Sequence, residues 1–162
     1  NTGAYLVNLE KEYSLIERTK PLFSRPGSRK ARWSLRDNFL RFWFRFIYPN
    51  QSLIEMGKYE LLKEVIGKNY EQYSGVVLER YFRDKIAENE RVTQIGGYWD
   101  RKGLNEIDLI AINNLDKKAI VAEIKRNPQK ININQLRIKS DALKKEFMPY
   151  DIEFKGFSMD DM

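Results

Sequence analysis

The chain contains no cysteine and no histidine in 162 residues. Without cysteine, disulfides, thiolate zinc sites and cysteine nucleophiles are excluded; a reducing, cytoplasmic setting is compatible with that. Without histidine, the usual general base, the serine-histidine triad and every imidazole-ligated metal site are excluded as well. No Gly-x-x-x-x-Gly-Lys-Ser/Thr phosphate loop occurs, so these residues do not bind ATP in that manner. Long apolar runs are also missing. The longest, Phe39 to Tyr48, is interrupted by Arg41 and Arg45 and is too short to span a bilayer, so no membrane association is expected. Nothing resembles a signal peptide. Chemistry is left to carboxylates, lysines, hydroxyls or a bound metal.

Positive charge is in modest excess. Lys and Arg total 29 against 23 acids, a net charge of +6, which suits a polyanionic partner and equally a soluble protein that is merely basic. The length allows one core, or one core with a small appendage. The start Asn1-Thr2-Gly3, with no methionine, suggests a piece of a longer polypeptide.

Ala4 to Tyr13 has helical spacing, and Leu15 to Lys20 and Ala31 to Leu35 read as two strands across a turn-rich link with Pro26-Gly27. A helix followed by a two-stranded hairpin has the form of the end of a winged helix. Between Arg18 and Arg36 lie seven basic residues and no acid. Arg25, Arg29, Lys30 and Arg32 would therefore track a phosphate backbone, unless the wing is solvated or touches another part of the parent protein. Ser34 with Asp37 resembles a capping box opening a helix from Leu35 to Tyr48, with Pro49 and Asn50 ending it. Phe39, Trp43 and Phe46 form one stripe of that helix and Leu40, Phe44 and Ile47 its neighbour. Arginines among aromatics can stack on bases, but this spacing also suits core packing.

A helix over Ser52 to Ile66, stopped at Gly67, is expected next. Glu71 to Glu90 then reads as a long helix with Gly75, Glu79, Phe82 and Ile86 in one line. This turns Glu79 toward the buried face, with Gly75 permitting close approach; the alternative is a carboxylate that escapes sideways to Arg80 or Arg83. Three strands follow, Arg91 to Trp99, Glu106 to Asn113 and Lys118 to Lys125, with hairpin turns between them. Ile131 to Phe147 is amphipathic, with Ile133, Leu136, Leu143 and Phe147 on its buried stripe. Ile152 to Met159 forms a last strand, and Asp160-Asp161-Met162 is expected to fray.

Two of the strands carry charge into apolar surroundings. A buried carboxylate costs several kcal/mol, on the order of 3–5, unless it is paired or binds a metal. Alternation places Glu106, Asp108 and Ile110 on one side of their strand, and Glu123 and Lys125 on one side of the next. If those sides coincide, Asp108, Glu123 and Lys125 converge. Oxygen ligands without nitrogen or sulfur suit Mg2+ or Mn2+, and the implied chemistry is metal-assisted phosphodiester hydrolysis. A Glu-x-Lys triplet by itself arises by chance about once or twice in this composition, as Glu153-Phe154-Lys155 illustrates. The alternative is a hairpin whose charges only form ion pairs.

The pattern from Glu79 through Asp108 to Glu123-Ile124-Lys125, on helix, strand and strand with helix and strand after, resembles the PD-(D/E)xK nuclease superfamily core over roughly residues 70–159. Three segments also resemble the C-terminal domain of archaeal-type P-loop ATPases: Ser34-Leu35-Arg36-Asp37-Asn38-Phe39-Leu40-Arg41-Phe42-Trp43-Phe44-Arg45-Phe46, Tyr73-Ser74-Gly75-Val76-Val77-Leu78-Glu79 and Glu106-Ile107-Asp108-Leu109-Ile110. This second likeness spans nearly the whole chain. The resemblance implies an α/β, restriction-endonuclease-like core of helix, three-stranded meander, helix and strand. Ahead of that core it implies the end of a winged helix and two linking helices. The expected divisions are 1–50 for the wing and aromatic helix, 51–69 for a linking helix and 70–162 for the nuclease-like domain. It further implies Asp108 and Glu123 as metal ligands, with the Ile124 carbonyl and Glu79 as additional ones, and Lys125 as partner of the attacking water. Ile107 stands where the motif has proline. The implied partners are nucleic acid, DNA favoured, and an upstream ATPase domain of the same polypeptide; a homodimer is compatible.

Overall fold

The computed structural model describes residues 2–28, 30–100, 103 and 105–162, and the chain divides into two compact units. One comprises the residues up to Thr19 with Ala31–Ser74; the other comprises Lys20–Lys30 with Gly75–Met162.

In the first unit, helix α1 (Thr2–Lys11) leads into strand β1 (Ile16–Thr19), which pairs antiparallel with β2 (Arg32–Leu35). Asp37, not Ser34, opens the next helix, α2 (Asn38–Phe42), by accepting a hydrogen bond from the Leu40 amide at 2.8 Å. Ser34 is held in β2, where its hydroxyl donates to Glu17 Oε1. Pro49 does not end the helical run either. A π-helical turn (Trp43–Ile47) and a 3-10 turn (Tyr48–Asn50) carry it into α3 (Gln51–Glu55). Proline is tolerated in the first turn of the new segment because its missing N–H has no partner there anyway. The π turn changes the phase of the aromatic stripe. Phe42 and Phe46 meet Tyr73, with ring centroids 5.8 and 5.4 Å away, while Phe39 and Phe44 stay exposed.

The expected stop at Gly67 does not occur. Helix α4 (Tyr59–Asn89) runs unbroken through it, from the first unit into the second. A terminating glycine needs a left-handed backbone, and the residue with that property is Gly57, at φ +65°, after α3. A Cβ at Gly75 would meet nothing within 4 Å, so the close approach expected there is absent.

The second unit is α/β. Strands β3 (Gln94–Trp99), β4 (Glu106–Asn113) and β5 (Lys118–Ile124) form an antiparallel meander, and β6 (Asp151–Phe157) adds parallel to β5. On one face Leu109, Ala111, Ala122 and Ile124 pack on Leu78, Phe82 and Ile86 of α4. On the other, Ile107, Ile110, Ile112, Ala119 and Val121 pack on Leu136, Leu143 and Phe147. These last three belong to the expected stripe. Their helix is divided into α5 (Ile133–Ser140), a 3-10 turn (Asp141–Leu143) and α6 (Lys144–Phe147). The C-terminus does not fray as expected: Met159–Asp161 forms a 3-10 turn closed by a Ser158–Asp161 capping box, and Lys85 Nζ donates to the Asp161 carbonyl at 2.8 Å. Among the described residues no helix is long and apolar enough to cross a membrane.

Candidate active site

The site lies where β4 begins and β5 ends. Strict alternation through β4 fails at this point. Gly96 pairs with Ile110 but Tyr98 pairs with Ile107, so Asp108 and Leu109 together oppose Gly97. The result is a β-bulge, which bends the strand and re-aims a side chain. Ile107 and Ile110 consequently share a face, contrary to simple alternation of Glu106, Asp108 and Ile110.

Asp108 is turned toward the end of β5. Its Oδ2 accepts from the Ile124 amide at 2.8 Å and from Lys125 Nζ at 2.9 Å. The same ammonium lies 3.7 Å from Glu123 Oε1, so one lysine reaches both acids. Glu123 is 4% exposed and its Oε2 accepts from the Asn132 amide at 2.7 Å. Asn132 is the N-cap of α5, its side chain accepting from Gln135 N. Lys139, on α5, also places its Nζ 3.7 Å from Glu123 Oε1.

Burial works to lower the Lys125 pKa, but the hydrogen bond and charge of Asp108, aided by Glu123 and Glu79, outweigh it and raise the pKa above the ordinary lysine value. The group is an ammonium, suited to holding negative charge rather than taking a proton. Glu79 behaves in the opposite sense for an acid. Burial, with the charge of Asp108 and more weakly Glu106, pushes its pKa up to about 7 against the pull of Arg83 and Lys125. The Arg83 guanidinium donates elsewhere, from Nη2 to the Asp108 carbonyl at 3.2 Å. The four expected groups thus occupy one neighbourhood, with Glu79 on the α4 side of the sheet and Glu123 on the α5 side.

The family model for archaeal and bacterial proteins of unknown function, DUF234, matches residues 43–136, more than half of the chain. The chain belongs to the DUF234 family. An uncharacterized protein of Methanocaldococcus jannaschii is 40% identical over 128 residues, which cover 75% of this chain and 28% of that relative. The chain therefore spans little more than a quarter of that relative's length. No solved structure matches. The DUF234 match includes Glu79, Asp108, Glu123 and Lys125 and stops before Lys139.

Among the described residues, no three acids are grouped so as to hold a metal by themselves. The donor chemistry nevertheless fits Mg2+ or Mn2+, which take one or two carboxylates and retain water for the remaining positions. Asp108 and Glu123 would provide those carboxylates, and a backbone carbonyl at Ile124 is the same class of donor.

The expected nucleic-acid contacts among the described residues divide between the two units. Arg32 is an exposed residue of β2, in the first unit. Arg25 and Lys30 are exposed in the second, within a loop fixed to the sheet edge: the Leu22 amide donates to Gly97 O at 2.9 Å, and Trp99 Nε1 donates to Lys30 O at 3.0 Å. Leu22 and Phe23 pack into the core below it. Arg29, and Arg101 and Lys102 of the expected β3–β4 turn, lie outside the described residues. Residue-level reading missed Gly97, Asn132 and Lys139, and named Arg83 only as an alternative partner of Glu79, not as a donor to the Asp108 carbonyl. Only Asn132 had a local signal, an amide side chain immediately before an amphipathic segment.

Proposed function

We propose that this DUF234 chain is a metal-dependent phosphodiesterase acting on nucleic acid, DNA favoured, built on a PD-(D/E)xK, restriction-endonuclease-like core. The observation that carries this is the single ammonium of Lys125 reaching both Asp108 and Glu123 at the end of a mixed sheet. The order of helix, antiparallel meander, helix and parallel strand supports the same reading. Asp108 and Glu123, with the Ile124 carbonyl and Glu79 as further donors, would hold Mg2+ or Mn2+. Bound there, the metal supplies Lewis acidity and a more acidic water. Lys125 stays protonated and stabilises charge on the phosphate or positions the attacking water. Arg25, Lys30 and Arg32 supply sequence-independent attraction to the backbone. The shared length with a much longer archaeal relative supports a place within a larger polypeptide, proposed to be a P-loop ATPase with a winged helix.

A second reading is a catalytically inert nucleic-acid-binding or assembly module of that polypeptide. It is favoured by the mutual satisfaction of Asp108 and Lys125. Incubation with plasmid and with RNA, with and without Mn2+, separates the two. Metal-dependent cutting that disappears in Asp108→Asn supports the nuclease. Binding that falls steeply with salt, ignores metal and produces no cutting supports the inert module.

A further inference from the structure

We infer that Arg83 and Gly97 form a positioning device for Asp108: together they hold the β-bulge that aims its carboxylate at Ile124 and Lys125. The inference rests on the nuclease reading only for the purpose of the aim; the geometry itself stands apart from it.

Three observations meet at the bulge. Arg83 reaches across from α4 and donates from Nη2 to the Asp108 carbonyl at 3.2 Å. This acceptor is the backbone at the extra residue, where the β3–β4 ladder shifts register. The Nε of the same side chain is buried without a hydrogen-bond partner. The burial of this guanidinium makes its bond to the Asp108 carbonyl hard to replace by solvent. Gly97 stands opposite on β3. A Cβ there would lie 3.2 Å from Ile107 O, 3.3 Å from Asp108 O and 3.7 Å from Arg83 Nη2. Those distances are tight against two carbonyl oxygens that belong to the backbone and cannot swing away. The Gly97 carbonyl is in turn fixed from outside by the Leu22 amide. The bulged backbone is therefore held by a cation on one side and lies close against a residue without a side chain on the other, where a Cβ would have to displace it by a few tenths of an ångström.

Without the bulge, β4 would keep its two-residue period and the carboxylate would take a different direction. The Asp108 side chain now replaces a ladder partner for the Ile124 amide, at 2.8 Å. That amide reports the aim directly and needs no metal.

The test is hydrogen exchange on the whole chain, comparing wild type with Arg83→Gln, Arg83→Lys, Gly97→Ala and the control Asp108→Ala. Amides of the central ladder, Ile110 and Val121, confirm folding in each variant. The expected result is that Ile124 loses protection in Arg83→Gln and Gly97→Ala as it does in Asp108→Ala, while Ile110 and Val121 keep theirs. If Gly97→Ala does not fold, the two Arg83 variants decide. Protection of Ile124 equal to wild type in folded Arg83→Gln overturns the inference. Mn2+ titration of the same samples follows the consequence: affinity should fall about 10- to 100-fold in Arg83→Gln, as for loss of a residue that orients a ligand. A wild type that binds no Mn2+ defeats the nuclease reading, and the amide readout still decides the role of Arg83 and Gly97.

Discussion

Lys125 Nζ sits 2.9 Å from Asp108 Oδ2, joining the end of β5 to the bulge in β4. The lysine side chain is 34% exposed and the aspartate 13%. The lysine is thus partly wet, while Asp108 and the neighbouring Glu123, its side chain 5% exposed, are nearly dry and depend on it for compensation.

Replacing Lys125 by Met should accordingly destabilise the metal-free chain by about 3 kcal/mol, because it leaves two nearly buried carboxylates without their shared cation, although Asp108 keeps its bond to the Ile124 amide. Cleavage, on the nuclease reading, should vanish. A calorimetric melt paired with a plasmid assay separates the two effects; full cutting by Lys125→Met would remove the lysine from the chemistry.

Glu79 makes folding stability depend on pH in an unusual direction. Its carboxyl is raised from an ordinary 4.5 to about 7, so the folded chain binds more protons than the unfolded one between those values. The linkage slope is then negative. The contribution is fully present below pH 4.5 and is lost as pH rises through about 7, amounting to about 3 kcal/mol at most. Denaturant melts of metal-free wild type and Glu79→Gln at pH 5 and pH 8 should show the variant gaining relative stability at the higher pH. Parallel pH profiles would refute the assignment.

Gly156 lies opposite Glu123 in the β5–β6 ladder. A Cβ on it would come 2.5 Å from Ile131 Cγ2, beside the Asn132 amide that holds Glu123. Gly156→Ala should destabilise by about 1–3 kcal/mol through overpacking. Combining it with Ile131→Ala should recover part of the loss, a non-additivity that a double-mutant cycle on urea melts would read.

Gly67 and Gly75 present the reverse situation. Both are interior to α4 and a Cβ at either meets nothing within 4 Å. Alanine at each should stabilise by about 0.5–1 kcal/mol. A lower melting temperature for either variant would show that these glycines serve a contact absent from this chain alone.

The meander was legible because its signals are local. Apolar runs with polar turns fixed β4 from Glu106 to Asn113, and β5 within one residue. The buried stripe of Leu136, Leu143 and Phe147 followed from helical spacing, although the break between α5 and α6 did not. Helix boundaries around Pro49 and Gly67 were misread for one reason: each residue permits a stop without enforcing it, and packing carried the chain onward. The fate of the basic link was undecidable locally, since Leu22 and Phe23 reveal their purpose only when Gly97 and Phe147 are beside them.

The sequence by itself determined the chemical vocabulary, oxygen and ammonium groups with no imidazole or thiol, and the strands that carry them. Tertiary structure decided the aim of Asp108. A strand's two-residue alternation is a property of its own backbone, whereas a bulge arises from what stands across from it. Here that is a glycine on β3 and an arginine on α4, which chain order alone does not bring together.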